Sequence, residues 1–204
     1  MDEPPSWMAP RGKPWIRGQP RRVYDNAWIA VTEFQAIAPT GASALYGLVE
    51  FKNRALAILP IHADGSVELV GQYRFPLGDY SWEIPEGGGP LAEPPLEAAQ
   101  RELREETGLV AGAWQEILRM QLSNSVTTEA AIGYLALDLF QSDLRPNGDD
   151  TEDLAQVRVP FRQVLDLVLA GKITDALTVA MMLRAYHMAR ERALPRHLAR
   201  AMLG

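Results

Sequence analysis

Runs of apolar residues, separated by short stretches rich in glycine, proline and charge, divide most of the chain into predicted strands. Aromatic and β-branched residues are frequent in these runs, and such residues fit a pleated sheet. The runs cover residues 28–37, 45–51, 55–61, 67–75, 114–122 and 131–139. Residues 55–61 are apolar throughout, which predicts a strand covered on both faces.

Helical patterns occur between and after these runs. The stretch from Pro95 to Thr107 follows Pro94 and precedes Gly108, which suits the left-handed position that ends a helix. Two further helices are predicted, one beginning at Pro160 and one at about Asp175, each with an apolar stripe along one face.

The order of these elements predicts three parts. Residues 1–21 contain five prolines and two tryptophans, which favours an extended arm. Residues 22–54 predict a small antiparallel sheet that forms a subdomain of its own. Residues 55–204 then form the main domain, and their length is sufficient for a sizeable core.

Composition excludes several classes of protein. The net charge of −6 argues against nucleic acid as a partner, because phosphate backbones bind surfaces rich in Lys and Arg. The chain has no cysteine, so disulfides and thiolate chemistry are excluded, and a cytoplasmic location is favoured. No stretch is long and apolar enough to predict a membrane span, and the first residues lack the apolar core of a signal peptide.

Three glutamates on the helix 95–107 indicate a metal site. Glu102, Glu105 and Glu106 lie three and four residues apart, so their carboxylates share one face. Like charges at this spacing repel by roughly 0.2–0.5 kcal/mol for each pair unless a cation lies among them. Mg²⁺ binds carboxylate oxygens together with substrate phosphates. A solvated acidic face with ion pairs to Arg101 is the alternative.

The complete pattern of this region, GGGPLAEPPLEAAQRELREETGL from Gly87 to Leu109, resembles the Nudix box at each defining position. The resemblance implies an α/β fold, the Nudix α/β/α sandwich with a mixed β-sheet. It also implies a hydrolase that uses Mg²⁺ or Mn²⁺ to cleave a nucleoside diphosphate linked to another moiety. The three glutamates would hold the metal and include the catalytic Glu105. The backbone carbonyl of Glu86 would add a ligand.

Within that family, a second stretch resembles the ADP-ribose pyrophosphatase branch. It consists of Gln72-Tyr73-Arg74, a loop and Trp82-Glu83-Ile84-Pro85. The matching arginine of the branch reaches the substrate, so Arg74 is predicted to contact a phosphate or a base, with a rim salt bridge as the alternative. Glu83 is predicted to supply an outer carboxylate to the site. Trp82 is predicted to stack on a ring of the substrate, with core packing as the alternative.

Two further glutamates are candidates for the general base. In this branch, a late loop that ends in Glu-Asp-apolar carries the base, which by that match is Glu152. Glu129, on the loop that precedes residues 131–139, is the reserve candidate. From composition alone both lie on surface loops. One residue departs from the branch, because Glu86 stands where alanine is common. The change is tolerable if the backbone carbonyl alone binds metal, whereas a carboxylate so close to the site can alter the metal number or repel a phosphate.

The resemblance implies hydrolysis of the diphosphate of a nucleoside diphosphate sugar, with ADP-ribose converted to AMP and ribose 5-phosphate. GDP-mannose, another such sugar nucleotide and a dinucleotide are alternative substrates. Two further functions are alternatives. One is a different enzyme, a pyrophosphohydrolase of nucleoside triphosphates. The other belongs to a different class, a non-catalytic Nudix module that senses nucleotide sugars. Enzymes of this branch have an amino-terminal sheet that helps to build a homodimer, so a homodimer through residues 22–51 is expected.

Overall fold

The computed structural model describes residues 4–143 and 153–204. Ser6–Met8 form a 3-10 turn. The strands are β1 (Ile16–Asp25), β2 (Ile29–Ile37), β3 (Ser43–Phe51), β4 (Asn53–Pro60), β5 (Ser66–Arg74), β6 (Asp79–Glu83), β7 (Glu86–Pro90), β8 (Leu109–Gln121), β9 (Ala130–Gln141) and β10 (Ala155–Pro160). The helices are α1 (Pro95–Thr107), α2 (Phe161–Leu169), α3 (Ala176–Arg190) and α4 (Arg196–Leu203). None of these helices is long and apolar enough to cross a bilayer.

The described chain divides into two compact units. The amino-terminal unit consists of the chain up to Lys52 together with Ser123–Thr128. The main unit consists of Asn53–Leu122 and Glu129–Gly204. The predicted boundary between a small sheet and the main domain, at residues 54 and 55, lies within three residues of this division.

The amino-terminal unit is an antiparallel sheet with the strand order β1-β2-β3. Its first strand begins at Ile16, whereas the sequence predicted an extended arm up to residue 21. Pro20, one of the five prolines of the predicted arm, lies in this strand. It is accommodated because β1 is an edge strand, where a missing N–H breaks no ladder, and because the register with β2 shifts beside it.

Ser123–Thr128 complete the same unit from a later part of the sequence. The Val49 N–H donates to the Val126 carbonyl at 2.9 Å, and the Thr128 N–H donates to the Val49 carbonyl at 3.0 Å. The hydroxyl group of Tyr46 donates to the Ser125 carbonyl. These bonds fix the loop along β3, so it belongs to the small sheet by hydrogen bonding and not by position in the chain.

The main unit contains a mixed sheet with the order β7-β4-β9-β8. Its central pair, β4 and β9, is parallel, and the outer pairs are antiparallel. A second, antiparallel sheet has the order β10-β5-β6. The mixed sheet and the small amino-terminal sheet confirm the predicted fold class.

Both faces of β4 are buried, as its apolar sequence predicts. Leu56 and Ile58 pack with Leu103 and other apolar residues of α1, whereas Ala57 and Leu59 pack with apolar residues of α2, α3 and α4. Successive side chains of a strand point to opposite faces, so the alternation places α1 on one face and the later helices on the other. The layers are therefore α/β/α.

The helix ends follow local chemistry. Helix α1 has the predicted bounds, and Gly108 ends it with φ of 70° and an N–H bond to the Arg104 carbonyl at 2.9 Å. Helix α3 begins after Asp175, whose side chain accepts a hydrogen bond from the Thr178 N–H at 2.7 Å. This cap satisfies a backbone donor that the first helical turn leaves without a partner.

Candidate active site

Strand β7 and helix α1 are held against each other at the start of the glycine-rich segment. The Glu86 N–H donates to Glu106 Oε2 at 3.0 Å. The next residue, Gly87, lies against the Glu102 carboxyl group, and a Cβ atom at this position would overlap that group. The absence of a side chain at Gly87 therefore lets the acidic face of α1 approach the strand.

Arg101 lies among the carboxylates of this region. Its Nη1 atom donates to Glu102 Oε1 and Glu105 Oε2, both at 2.8 Å, and its Nη2 atom lies 3.4 Å from Glu93 Oε2. Nη2 also lies 3.4 Å from the Gly88 carbonyl oxygen. Burial disfavours the charge of Arg101, but these carboxylates outweigh burial and raise the pKa of its guanidinium. Arg101 thus connects α1 to the segment that precedes it.

Arg54 also stabilises this region, a role that no sequence pattern indicated. Its Nη2 atom donates to the Leu91 carbonyl at 3.0 Å, and its Nη1 atom donates to the Glu93 carbonyl at 3.1 Å. The side chain therefore fixes the turn between β7 and α1 from the first residues of β4. An arginine at a strand start is common, so only the folded chain reveals these partners.

The carboxylates of α1 do not form a ready-made metal cluster. Among residues 4–143 and 153–204, no group of three or more Asp, Glu, His or Cys side chains is arranged to hold a metal ion. Arg101 bonds to Glu102 and Glu105, and Glu106 accepts the N–H of Glu86. The donor chemistry nevertheless fits a hard divalent cation, because carboxylate and carbonyl oxygens are the ligands that Mg²⁺ takes.

Arg74 and Glu83 form an ion pair beside these acids. Arg74 Nε lies 3.1 Å from Glu83 Oε1 and 3.0 Å from Oε2, and Arg74 Nη2 donates to Oε2. Glu83 is only 3% exposed, so the guanidinium is what compensates its buried charge. The hydrogen bonds to Glu83 raise the pKa of Arg74 against the opposing effect of burial, and attraction to Glu86 and Glu106 adds to the rise.

The carboxyl group of Glu86 lies in the interior of the same region. Its Oε1 atom is buried and has no hydrogen-bond partner within the described chain. Burial raises the pKa of Glu86 well above its ordinary value, and the nearby Asp175 and Glu83 add to the rise. The side chain that departs from the branch therefore lies beside the amino-terminal cap of α3. The sequence placed α3 correctly but did not indicate this contact.

Trp82 belongs to a row of aromatic side chains on β5 and β6. The ring centroids of Tyr73 and Tyr80 are 5.1 Å apart, and those of Tyr80 and Trp82 are 5.7 Å apart, both edge to face. Trp82 is 36% exposed, so one part of its ring packs in the row and another part is open to a ligand. The predicted stacking and the alternative packing role are both compatible with this position.

The structure describes only one of the two candidates for the general base, Glu129. Glu152 lies outside the described residues. Asp153, which follows it, lines a cavity of ≈ 300 Å³ together with Tyr73 and Tyr80. Glu129 precedes β9, and its pKa is raised by burial. The sheet register places Glu129 four residues, or about 13 Å along the strands, beyond the level of Glu86.

Gln156 is a further residue that the sequence did not single out. Its Nε2 atom donates to the backbone carbonyl of Glu106 at 2.6 Å, so β10 holds the last turn of α1. On the other side, the buried Thr178 hydroxyl group accepts the Ile84 N–H at 3.0 Å and ties the end of β6 to α3. The last turn of α1 is thus held by β10, and the end of β6, which carries Glu83, is held by α3.

Comparisons with known proteins bear on the family of this chain. The NUDIX domain matches residues 51–178. The ADP-ribose pyrophosphatase of Mycobacterium tuberculosis (strain ATCC 25618 / H37Rv) is 32% identical over 178 residues, which cover 86% of this chain and 85% of the relative. The ADP compounds hydrolase NudE of Escherichia coli (strain K12) is 29% identical over 141 residues, which cover 69% and 74% respectively.

A solved structure shares the architecture as well. The crystal structure of an ADP compounds hydrolase superposes with a TM-score of 0.79 at 22% identity, and it covers 90% of this chain and 98% of its own. The chain therefore belongs to the Nudix family of hydrolases. Within the family it lies in the ADP-ribose pyrophosphatase branch, as the residues around Arg74 and Glu83 predict.

Proposed function

We propose that the protein hydrolyses the diphosphate bond of a nucleoside diphosphate sugar in the presence of a divalent metal ion. The proposed substrate is ADP-ribose, and water cleaves its P–O–P bond to give AMP and ribose 5-phosphate. The observation that carries the proposal is the hydrogen-bonded pair of Arg74 and the buried Glu83, which stands three residues before Glu86, whose N–H donates to Glu106 on the acidic face of α1. Similarity to ADP-ribose pyrophosphatases supports the choice of sugar nucleotide.

The residues of the site divide into a metal-holding group and a substrate-holding group. Glu102, Glu105 and Glu106 would hold Mg²⁺ or Mn²⁺ together with the backbone carbonyl of Glu86. When bound, the metal lowers the pKa of water and neutralises charge on the diphosphate. Because Arg101 donates to two of these carboxylates, it keeps them together against their mutual repulsion.

Arg74 would bind an oxygen of the diphosphate, because its charge is fixed by Glu83 and its terminal edge is not used by that pair. Trp82 would stack on a ring of the substrate with the exposed part of its indole. Glu152 would accept the proton of the attacking water, with Glu129 as the reserve for that role.

A substrate panel tests the proposal. The purified protein is incubated with Mg²⁺ and ADP-ribose, ADP-glucose, GDP-mannose, diadenosine polyphosphates or nucleoside triphosphates, and the nucleotide products are separated by chromatography. We expect selective release of AMP from ADP-ribose. Preference for a triphosphate would contradict the proposed substrate class. Ligand binding without any turnover would instead favour a nucleotide-sugar sensor.

A pair of variants tests the role of the acids. Glu102→Gln removes one carboxylate from the face next to Gly87, and Glu97→Gln removes an exposed carboxylate from the first turn of the same helix. We expect the first change to lower turnover by at least about a hundredfold, because it removes a ligand of the metal, and the second to leave turnover unchanged. Equal activity of both variants would contradict the metal assignment.

We also propose that the enzyme is a cytoplasmic homodimer that associates through residues 22–51. Large apolar side chains are exposed on this part of the amino-terminal sheet, including Val23, Tyr24, Trp28 and Leu45. Exposed apolar area of this kind favours association. A monomer in sedimentation experiments at micromolar concentration would contradict the dimer.

A further inference from the structure

Arg74 and Glu83 bond directly, but the strand register shows that they are not opposite each other in the β5–β6 hairpin. Arg74 ends β5 and lies opposite Asp79, whereas Glu83 ends β6 and lies opposite Val70. Arg74 and Val70 are four residues apart, about 13 Å along the strand, and both face the same side. The Arg74 side chain must therefore extend back along the hairpin, past Gln72, to reach Glu83.

A nearer carboxylate is available to Arg74 and is not used. Asp79, the residue directly opposite, is exposed, and its Oδ1 atom accepts the N–H of Tyr80 at 2.8 Å. The hydrogen bonds of the Arg74 side chain within the described chain all go to Glu83. The buried Glu83 carboxylate holds the guanidinium because a buried charge without a partner is far more costly than an exposed one.

The geometry of the pair also determines which edge of the guanidinium stays available. Nε and Nη2 donate to Glu83, whereas Nη1 has no hydrogen bond within residues 4–143 and 153–204. An arginine has five N–H donors in a fixed fork, so the terminal edge, formed by Nη1 and the second hydrogen of Nη2, can still bind an anion. Attraction from Glu86 and Glu106 shows that the guanidinium lies beside the acidic site.

We propose that Glu83 is a positioning residue that acts through Arg74, drawing the guanidinium away from Asp79 and aiming its terminal edge at the diphosphate. The inference rests on the proposed function, since it assigns the diphosphate as the group that Arg74 binds. It replaces the expectation that Glu83 supplies an outer carboxylate to the metal site. In the positioning role Glu83 matters only while Arg74 is present.

A double-mutant cycle distinguishes the two roles. Glu83→Gln, Arg74→Ala and the double variant are compared in the hydrolysis of ADP-ribose. We expect Glu83→Gln to lower kcat/KM by on the order of tenfold to a hundredfold, the effect of losing a charge-assisted contact. In the Arg74→Ala background the same change should lower kcat/KM by less than about twofold. Losses that multiply would overturn the positioning role.

A second measurement observes the pair without turnover. The Nε–H of Arg74 is donated to a buried carboxylate, so its signal in a proton–nitrogen correlation spectrum should be protected from exchange with water. The signal is assigned by its absence in Arg74→Lys. We expect Glu83→Gln to remove the protection and Asp79→Asn, the matched control at the opposite residue, to retain both the protection and the activity. Loss of protection in Asp79→Asn alone would overturn the inference.

Glu83→Asp is a second variant for the case in which Glu83→Gln is too unstable to assay. It keeps the charge and withdraws the carboxylate by one methylene, so we expect an intermediate loss of kcat/KM that also disappears in the Arg74→Ala background.

Failure of the proposed function would give a different result from failure of the positioning role. A wild-type protein that does not hydrolyse ADP-ribose would contradict that function, whereas an active wild type with multiplying losses would contradict only the role of Glu83.

Discussion

Arg101 and Arg74 are two arginines of one site that differ in how many carboxylates hold them. Arg101 contacts Glu93, Glu102 and Glu105, each through a single nitrogen, in a half-buried position. Within residues 4–143 and 153–204, the side chain of Arg74 bonds to Glu83 alone, through two nitrogens. A cation shared by three acids can lose one partner and keep the others. A cation bound by one buried acid keeps a fixed direction.

The difference separates the two tasks of a diphosphate hydrolase. In the proposed mechanism the site must assemble several like charges, and Arg101 compensates two of them through its bonds to Glu102 and Glu105. The proposed mechanism also needs one positive group at a defined place for the substrate, and we propose that Arg74, held by Glu83, supplies it. Substitutions near one arginine or the other test this difference.

Gly87→Ala should have the largest effect, because it displaces an acid of the Arg101 cluster without changing any charge. The new Cβ would overlap the Glu102 carboxyl group. We expect turnover of ADP-ribose to fall by on the order of a hundredfold, as for other displacements of about 1 Å in an active site. Steady-state kinetics, with circular dichroism to check folding, measure the effect.

Gly88→Ala is the matched control for this change. Its Cβ would lie 3.2 Å from the Nδ2 atom of Asn53, the far end of a flexible side chain, so the neighbour can move aside. We expect nearly wild-type turnover from this variant. If both alanine variants were equally active, the close approach of Glu102 to the strand would have no part in catalysis.

Arg101→Gln should have the next largest effect, mainly on the free energy of unfolding. Without the guanidinium, Glu93, Glu102 and Glu105 lose their shared partner. We expect the free energy of unfolding in the presence of a chelator to fall by about 1–2 kcal/mol, as measured by urea titration. Added Mg²⁺ should recover part of this loss in the variant. A loss that Mg²⁺ leaves unchanged would show that Arg101 is only a structural brace.

Glu86→Gln tests the surroundings of Arg74 through the pH dependence of the free energy of unfolding. Because Glu86 holds its proton more tightly in the folded protein than in the unfolded chain, the wild-type free energy of unfolding should fall as pH rises above about 4.5, up to the raised folded-state pKa. The variant should lose this part of the pH slope and gain about 1 kcal/mol at neutral pH, because an amide can donate to Asp175. The control Glu97→Gln should retain the wild-type slope.

The parts of the fold that the sequence predicted correctly depend on residues close together in the chain. Helix α1 has its start at the prolines and its end at Gly108, and the acidic face follows from the spacing of its glutamates. The runs that became β2, β3, β4, β5, β8 and β9 were recognised from local alternation or local apolar content. Each of these sequence signals lies within the residues of a single helix or strand or at its ends.

The parts that were missed depend on contacts between distant residues. Strand β10 consists mainly of exposed residues and shows no apolar run, so only its pairing with β5 defines it. The roles of Arg54, Gln156 and Asp175 likewise require their partners to be brought together by the fold. The predicted base Glu152 lies outside the described residues, and its role stays a prediction.

The inclusion of Ser123–Thr128 in the amino-terminal unit has a consequence for how the protein acquires its structure. The edge of β3 receives backbone bonds at Val126 and Thr128, more than 70 residues after Val49. A ribosome that has released only the first 60 residues has therefore released an incomplete sheet. Such long-range closure slows folding relative to local pairing. A fragment that ends at Lys52 lacks the turn segment that bonds to the edge of its own sheet.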